Sequence, residues 1–125
     1  VWIDTKTDEL IVVDYKATSK KGEVSIDADW QDGYKKQIEF YQWLLRGNGF
    51  KVSNTGYFVY CNGIKDKKNF KNCLNFKVKL IPYTGNDRWI EPTLQSIKQC
   101  LVSNTLPSAH EDCELCKYVE SSLVA

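Results

Sequence analysis

An α/β fold built on a mixed sheet is what this 125-residue sequence predicts, and three observations predict it. Two apolar runs of strand length, Leu10–Lys16 and Thr55–Cys61, bracket a segment whose Ile38, Tyr41, Leu44 and Leu45 recur at helical spacing. The second run is almost continuously apolar and aromatic, as expected of a strand covered on both faces. Further on, Leu74, Phe76, Val78 and Leu80 alternate with Asn75, Lys77 and Lys79. That period of two marks a strand with one face in the core and one in solvent.

The elements follow in the order β-β-α-β-β-α. Val1–Asp4 reads as a strand, Thr5–Glu9 as a polar turn, and Leu10–Lys16 as its antiparallel partner, together a hairpin. Thr18–Asp32 has no periodicity and reads as a long loop, a kind of segment that more often works than idles. The helix runs from Tyr34 to Arg46 and is stopped by Gly47-Asn48-Gly49. Asn62-Gly63 opens a lysine-rich turn before the strand Leu74–Pro82. Asp87 is positioned to cap a last helix through Trp89, Leu94, Ile97 and Leu101, with Pro92 tolerated in its first turn. Beyond Pro107 the pattern becomes irregular. The expectation is therefore a single domain over 1–125 with an irregular segment at 108–125, a mixed central sheet and flanking helices.

Composition narrows the function. The formal net charge is +1, so nucleic-acid contact needs a local patch rather than a global positive field. No apolar run approaches the roughly 18 residues of a membrane span, which argues against a membrane partner. Five cysteines, an odd number without a secretory leader, suggest reduced thiols and a cytoplasmic setting, with Cys61 and Cys73 as small buried thiols. The chain has no methionine and opens on what reads as a strand, which suggests an N-terminally truncated piece of a longer protein.

The chemistry concentrates on one strand. Side chains alternate along a strand, so Asp14 and Lys16 share a face while Val13 and Tyr15 take the other. Charges on such a run are costly unless they pair, bind a metal or react. An aspartate there can hold a hard cation, and a lysine beside it can orient or deprotonate a water or offset charge on a phosphate. A solvated edge strand explains the pair equally well. On the helix, Gln37 and Tyr41 stand at i and i+4 on one face.

Together, Ile11-Val12-Val13-Asp14-Tyr15-Lys16-Ala17-Thr18 and Gln37-Ile38-Glu39-Phe40-Tyr41-Gln42-Trp43-Leu44-Leu45 resemble the signature strand and Q-x-x-x-Y helix of the PD-(D/E)XK nuclease superfamily, in its RecB-like exonuclease branch. The resemblance is good from Val1 to Tyr60 and rests on element order beyond that. It implies a restriction-endonuclease-like core and a Mg2+- or Mn2+-dependent deoxyribonuclease, an exonuclease of DNA repair, recombination or phage- or CRISPR-type DNA processing. It implies Asp14 as metal ligand, Lys16 as catalytic lysine, and Gln37 and Tyr41 as organisers of the site. DNA would be the partner, with a fused or associated helicase or other DNA-processing protein. The family's first metal-binding acid falls ahead of Val1, and Asp4 is the acid visible on that strand. The alternative is a catalytically inactive nucleic-acid-binding or scaffold domain of the same fold.

Remaining features fit around this core. Lys20, Lys21, Lys35 and Lys36 lie near the expected site and are the DNA-contact candidates. Lys65, Lys67, Lys68, Lys71, Lys77 and Lys79 form either a phosphate-contacting ridge or an ordinary solvated surface. Trp30 is expected to fold its loop onto the core. His110, Cys113 and Cys116 form an H-x-x-C-x-x-C array, the candidate for a second site holding zinc or an iron–sulfur cluster, against a simple reduced pair.

Overall fold

The structure is a computed structural model and describes residues 1–69 and 71–123. Trp2–Asp4 (β1) and Glu9–Ile11 (β2) form an antiparallel hairpin, Trp2 opposite Ile11 and Asp4 opposite Glu9, but its second strand ends at Ile11 and does not run through Lys16 as expected. The apolar run then changes partner. Val12 is buried at the break, and Val13–Thr18 (β3) leaves the hairpin to join a second sheet. Asp32–Gly47 forms the helix α1, followed by Thr55–Gly63 (β4) and Phe76–Thr84 (β5). The second sheet has the order β3-β4-β5, parallel between β3 and β4 and antiparallel between β4 and β5. The expected mixed sheet is there, with β4 at its centre.

The chain separates into two compact units, Val1–Ile90 and Glu91–Ala125. In the first, α1 closes one face of the sheet. Its Ile38 is fully buried against Phe58 and Tyr60 of β4, with Val12, Val52, Val24 and Ile26 completing the core. Val24 and Ile26 come from the long loop, which also winds a short 3-10 turn at Asp29–Gln31. Helix and strand meet closely at Gly56, where an added Cβ would lie 2.8 Å from Ile38 Cγ2 and 3.0 Å from the Val12 carbonyl. The helix begins with Asp32 near its positive end and finishes as expected. Asn48 Nδ2 donates to the Leu44 carbonyl, and Gly49 takes the left-handed φ of 84° that glycine adopts without strain.

Four further expectations fail here. The alternating strand has the opposite phase: Phe76, Val78 and Leu80 are exposed, while Ile81 and Tyr83 pack on the core. Register is the reason. Lys79 pairs with Tyr60 and Ile81 with Phe58, and that is the face α1 covers. Lysines tolerate such a position because the stem can lie on apolar surface while the ammonium leaves it; Lys79 Nζ reaches Glu23 and the Val24 carbonyl. Trp30 is 66% exposed and sits edge-on to Tyr34 rather than in the core. Cys73 is exposed and Cys61 half-buried. Asp87 spends its carboxylate on Arg46, at 2.5 Å, and only its backbone carbonyl accepts from Ile90 at the helix start.

The helix α2 (Ile90–Val102) occupies the expected span, all but its first residue in the second unit. The segment expected to be irregular holds a helix, α3, over Glu114–Leu123. Its apolar residues, Leu115, Tyr118, Val119 and Leu123, fall at i, i+3, i+4 and i+8, but the run is short and lies beside polar chain. Among the described residues no helix is long and apolar enough to cross a membrane.

Candidate active site

The four residues singled out on strand and helix converge. Asp14 and Lys16 lie on β3, the edge strand next to β4, and register places them opposite Phe58 and Tyr60. Their side chains therefore point toward α1, the element that carries Gln37 and Tyr41. Lys16 Nζ pairs with Asp14 Oδ2 at 2.7 Å and donates to Gln37 Oε1 at 3.1 Å. Gln37 Nε2 in turn donates to the Tyr41 hydroxyl at 3.0 Å. A chain of polar contacts thus runs from strand to helix, Asp14–Lys16–Gln37–Tyr41.

A fifth residue belongs to the group. The Tyr34 ring lies 3.9 Å beneath Lys16 Nζ, a cation–π contact. Tyr34 stands three residues before Gln37 and seven before Tyr41, on the same helical stripe, and that spacing is the signal by which it could have been found. Lys16 is thus held by a carboxylate, an amide oxygen and a ring face, all partners suited to an ammonium. Its side chain is 17% exposed and that of Asp14 16%. Ions so far from water are costly to keep unless the site uses them.

Asp14 also suits a cation. Its Oδ2 is buried and has the ion pair with Lys16 but no hydrogen bond. One carboxylate is only part of a ligand set, however, and among the described residues no group of three His, Cys, Asp or Glu side chains is gathered to hold a metal. Asp4 is the last residue of β1, where its Oδ1 accepts from the Lys6 N–H at 2.9 Å and its strand partner is Glu9.

The basic candidates divide. Lys35 Nζ pairs with Asp32 at 3.0 Å, and Lys36 Nζ stands 5.8 Å over the Trp89 ring. Lys20 and Lys21 instead line a cleft of about 780 Å3 together with Lys65, Lys77 and Lys79. His110, Cys113 and Cys116 lie in the second unit without forming a three-ligand set. The imidazole Nδ1 of His110 accepts from the Asp112 N–H, while the Cys116 thiol hydrogen-bonds to Cys113. That bond holds Cys113 below the ordinary thiol value and pushes Cys116 above it.

Buried polar groups that sequence spacing did not reveal hold α1 in place. Glu39 is 6% exposed and accepts three hydrogen bonds: Tyr83 hydroxyl at 2.6 Å, Asn86 N–H at 3.0 Å and Trp89 Nε1 at 2.6 Å. Burial and this carboxylate push the Tyr83 phenol well above the usual tyrosine range. Gln42 Nε2 donates to the Ser53 and Asn54 carbonyls, and Gln31 Nε2 to the Ser25 carbonyl.

Fold and site together define an α/β protein built around an acid–lysine pair at a sheet edge, steadied by a glutamine and two tyrosines from the following helix. The family model of the PD-(D/E)XK nuclease superfamily matches residues 2–121, and the chain belongs to that superfamily. Its mixed α/β architecture is consistent with the restriction-endonuclease-like fold. No curated protein and no solved structure matches the chain. Superfamily members are generally nucleases and typically use divalent metal ions.

Proposed function

We propose that the chain carries the catalytic strand and helix of a metal-dependent DNA nuclease, RecB-like in type and acting from DNA ends in repair, recombination or phage- or CRISPR-type DNA processing. The observation that carries this reading is the contact chain from Asp14 through Lys16 and Gln37 to Tyr41, in a member of a nuclease superfamily. Uncatalysed phosphodiester hydrolysis is extremely slow, so a nuclease must lower its barrier by on the order of 20 kcal/mol. A bound Mg2+ or Mn2+ supplies Lewis-acid charge at the phosphate and lowers the pKa of water. Asp14 would hold that ion together with acids other than those gathered here.

The chain's own side chains do the rest. Lys16, fixed by Asp14, Gln37 and the Tyr34 ring, presents a positive charge with little freedom to reorganise, the condition under which a charge best stabilises a transition state. That favours a role in offsetting phosphate charge over one as a base. Gln37 sets the lysine's direction and that of Tyr41. The Tyr41 side is 42% exposed and can meet substrate. Five free cysteines suit a reducing, cytoplasmic setting.

The experiment is to incubate the protein with end-labelled single- and double-stranded DNA plus Mn2+, Mg2+ or EDTA. Metal-dependent release of mononucleotides or short products is expected. Lys16→Ala should lower the rate at least a thousandfold while leaving DNA affinity within about threefold; a mutant that cuts at the wild-type rate overturns the assignment. The second reading, an inactive nucleic-acid-binding domain, is favoured by the single carboxylate at the site. It predicts binding without cleavage under every metal condition.

A further inference from the structure

We infer that the lysine-walled cleft beyond Lys16 grips the backbone of one nucleic-acid strand as it leaves the Asp14–Lys16 pair, an inference that rests on the nuclease reading. The cleft lies one step further along the same sheet face. Lys16, Tyr60 and Lys79 share one row across β3, β4 and β5, and Thr18, Asn62 and Lys77 share the next. Two residues separate the rows along each strand, roughly 7 Å at strand rise. Register thus sets Lys77 of the cleft in the row next to that of Lys16, on the same face of the sheet.

Its walls are built for phosphate. Lys20 and Lys21 come from the loop after β3, Lys65 from the chain after β4, and Lys77 and Lys79 from β5. Of these, Lys79 is tied to Glu23 at 3.2 Å. The other four make no ion pair among the described residues, against one further acid in the lining, Asp66. Such a density of unpaired charge stands out in a chain of net charge +1.

The loop is also held where it is. Asn62, 8% exposed, donates through Nδ2 to the Lys20 carbonyl at 3.0 Å and the Gly22 carbonyl at 3.4 Å. Gly22 turns the chain with a φ of 87°. Asn62 is thus a positioning residue that pins Lys20 and Lys21 over the cleft. At about 780 Å3 the cleft is in the size range of a small-ligand site and admits a nucleotide or two of one strand, not a duplex. Its described lining has no aromatic ring on which a base could stack, so the grip is on the backbone and blind to sequence.

The test is equilibrium binding of a short single-stranded oligonucleotide in EDTA, at several salt concentrations. Each phosphate contact to a single strand contributes about −0.7 to the slope of log K against log salt. Replacing Lys20, Lys21 and Lys77 by alanine should make that slope shallower by roughly 2. A glutamine triple at the same positions, which keeps most of the stem, should do the same and guards against misfolding. A control triple, Lys6→Ala, Lys98→Ala and Lys117→Ala, removes equal charge elsewhere. An unchanged slope in the cleft variants, or an equal change in the control, overturns the cleft. Cleavage with Mn2+ is followed in parallel. If Lys16→Ala abolishes cutting but the cleft triple keeps the slope, only the cleft falls. If nothing is cut but the slope drops, the cleft stands and the nuclease reading falls.

Discussion

Lys16 shows how much of a site can be written in a few residues. Asp14, Lys16, Gln37 and Tyr41 were legible because strand and helix periodicities are local: spacing of two places the first pair on one face, and spacing of four the second. Their meeting was not local, since Lys16 and Gln37 touch only once β3 and α1 pack, and the family resemblance supplied that step. The carboxylate of Glu39 escaped notice because its three donors lie more than forty positions further along the chain. Gly56 is a point at which this packing leaves no room for a side chain. A methyl group there would collide with Ile38 and the Val12 carbonyl, and both neighbours are buried. Gly56→Ala should cost about 1–3 kcal/mol as overpacking, read as a lower urea midpoint with an unchanged m-value. A midpoint equal to wild type would mean that helix and strand separate freely at this point.

Among the elements, α1 matters most, because it carries three of the five site residues and is fixed to the first unit by polar bonds rather than by its apolar face alone. Glu39 ties its middle to the chain after β5, and Arg46 ties its end to Asp87 and Asn54. Glu39→Gln would turn an amide N–H toward one of the donors that a carboxylate oxygen now satisfies. The expected loss is about 2 kcal/mol, in the range for hydrogen bonds to a charged group, measurable by urea unfolding. Under the proposed function, cleavage should fall with it at temperatures near the midpoint and recover on cooling; stability within 0.5 kcal/mol of wild type would show that the carboxylate is not what anchors the helix. Strand β5 marks the limit of pattern reading at this scale. Its alternation was clear, but which phase faces inward depends on register with β4, a non-local fact. The helix α3 was missed for a related reason, its three turns being too short for periodicity to outweigh the polar residues around it.

At the scale of the molecule, the two compact units differ in what the sequence disclosed. The first disclosed its hairpin, the helix α1 and the strand β4, but not the break at Val12 that sends β3 to a second sheet. The second gave up one helix and a pair of cysteines. There the thiol–thiol bond makes a chemical distinction between two residues of the same type: Cys113 is held toward thiolate and Cys116 toward thiol. At a pH somewhat below the usual thiol value, iodoacetamide should therefore modify Cys113 several-fold faster than Cys116, as followed by peptide mass spectrometry. Equal rates, or preference for Cys116, would contradict the direction of that bond.

The parallel pairing of β3 with β4 bears on how the protein reaches this state. Val13 meets Tyr57 only after the chain between them, about 44 residues including all of α1, has been closed into a loop. Ordering that loop carries an entropic cost of roughly 3 kcal/mol beyond the constant term. The hairpin and the antiparallel β4–β5 pair face much smaller closures and can form first. Asp14 and Lys16 sit on a strand whose pairing waits for the long closure, so in folding time the candidate site is a latecomer: a nascent or partly unfolded chain carries the whole motif in its sequence and none of it in space.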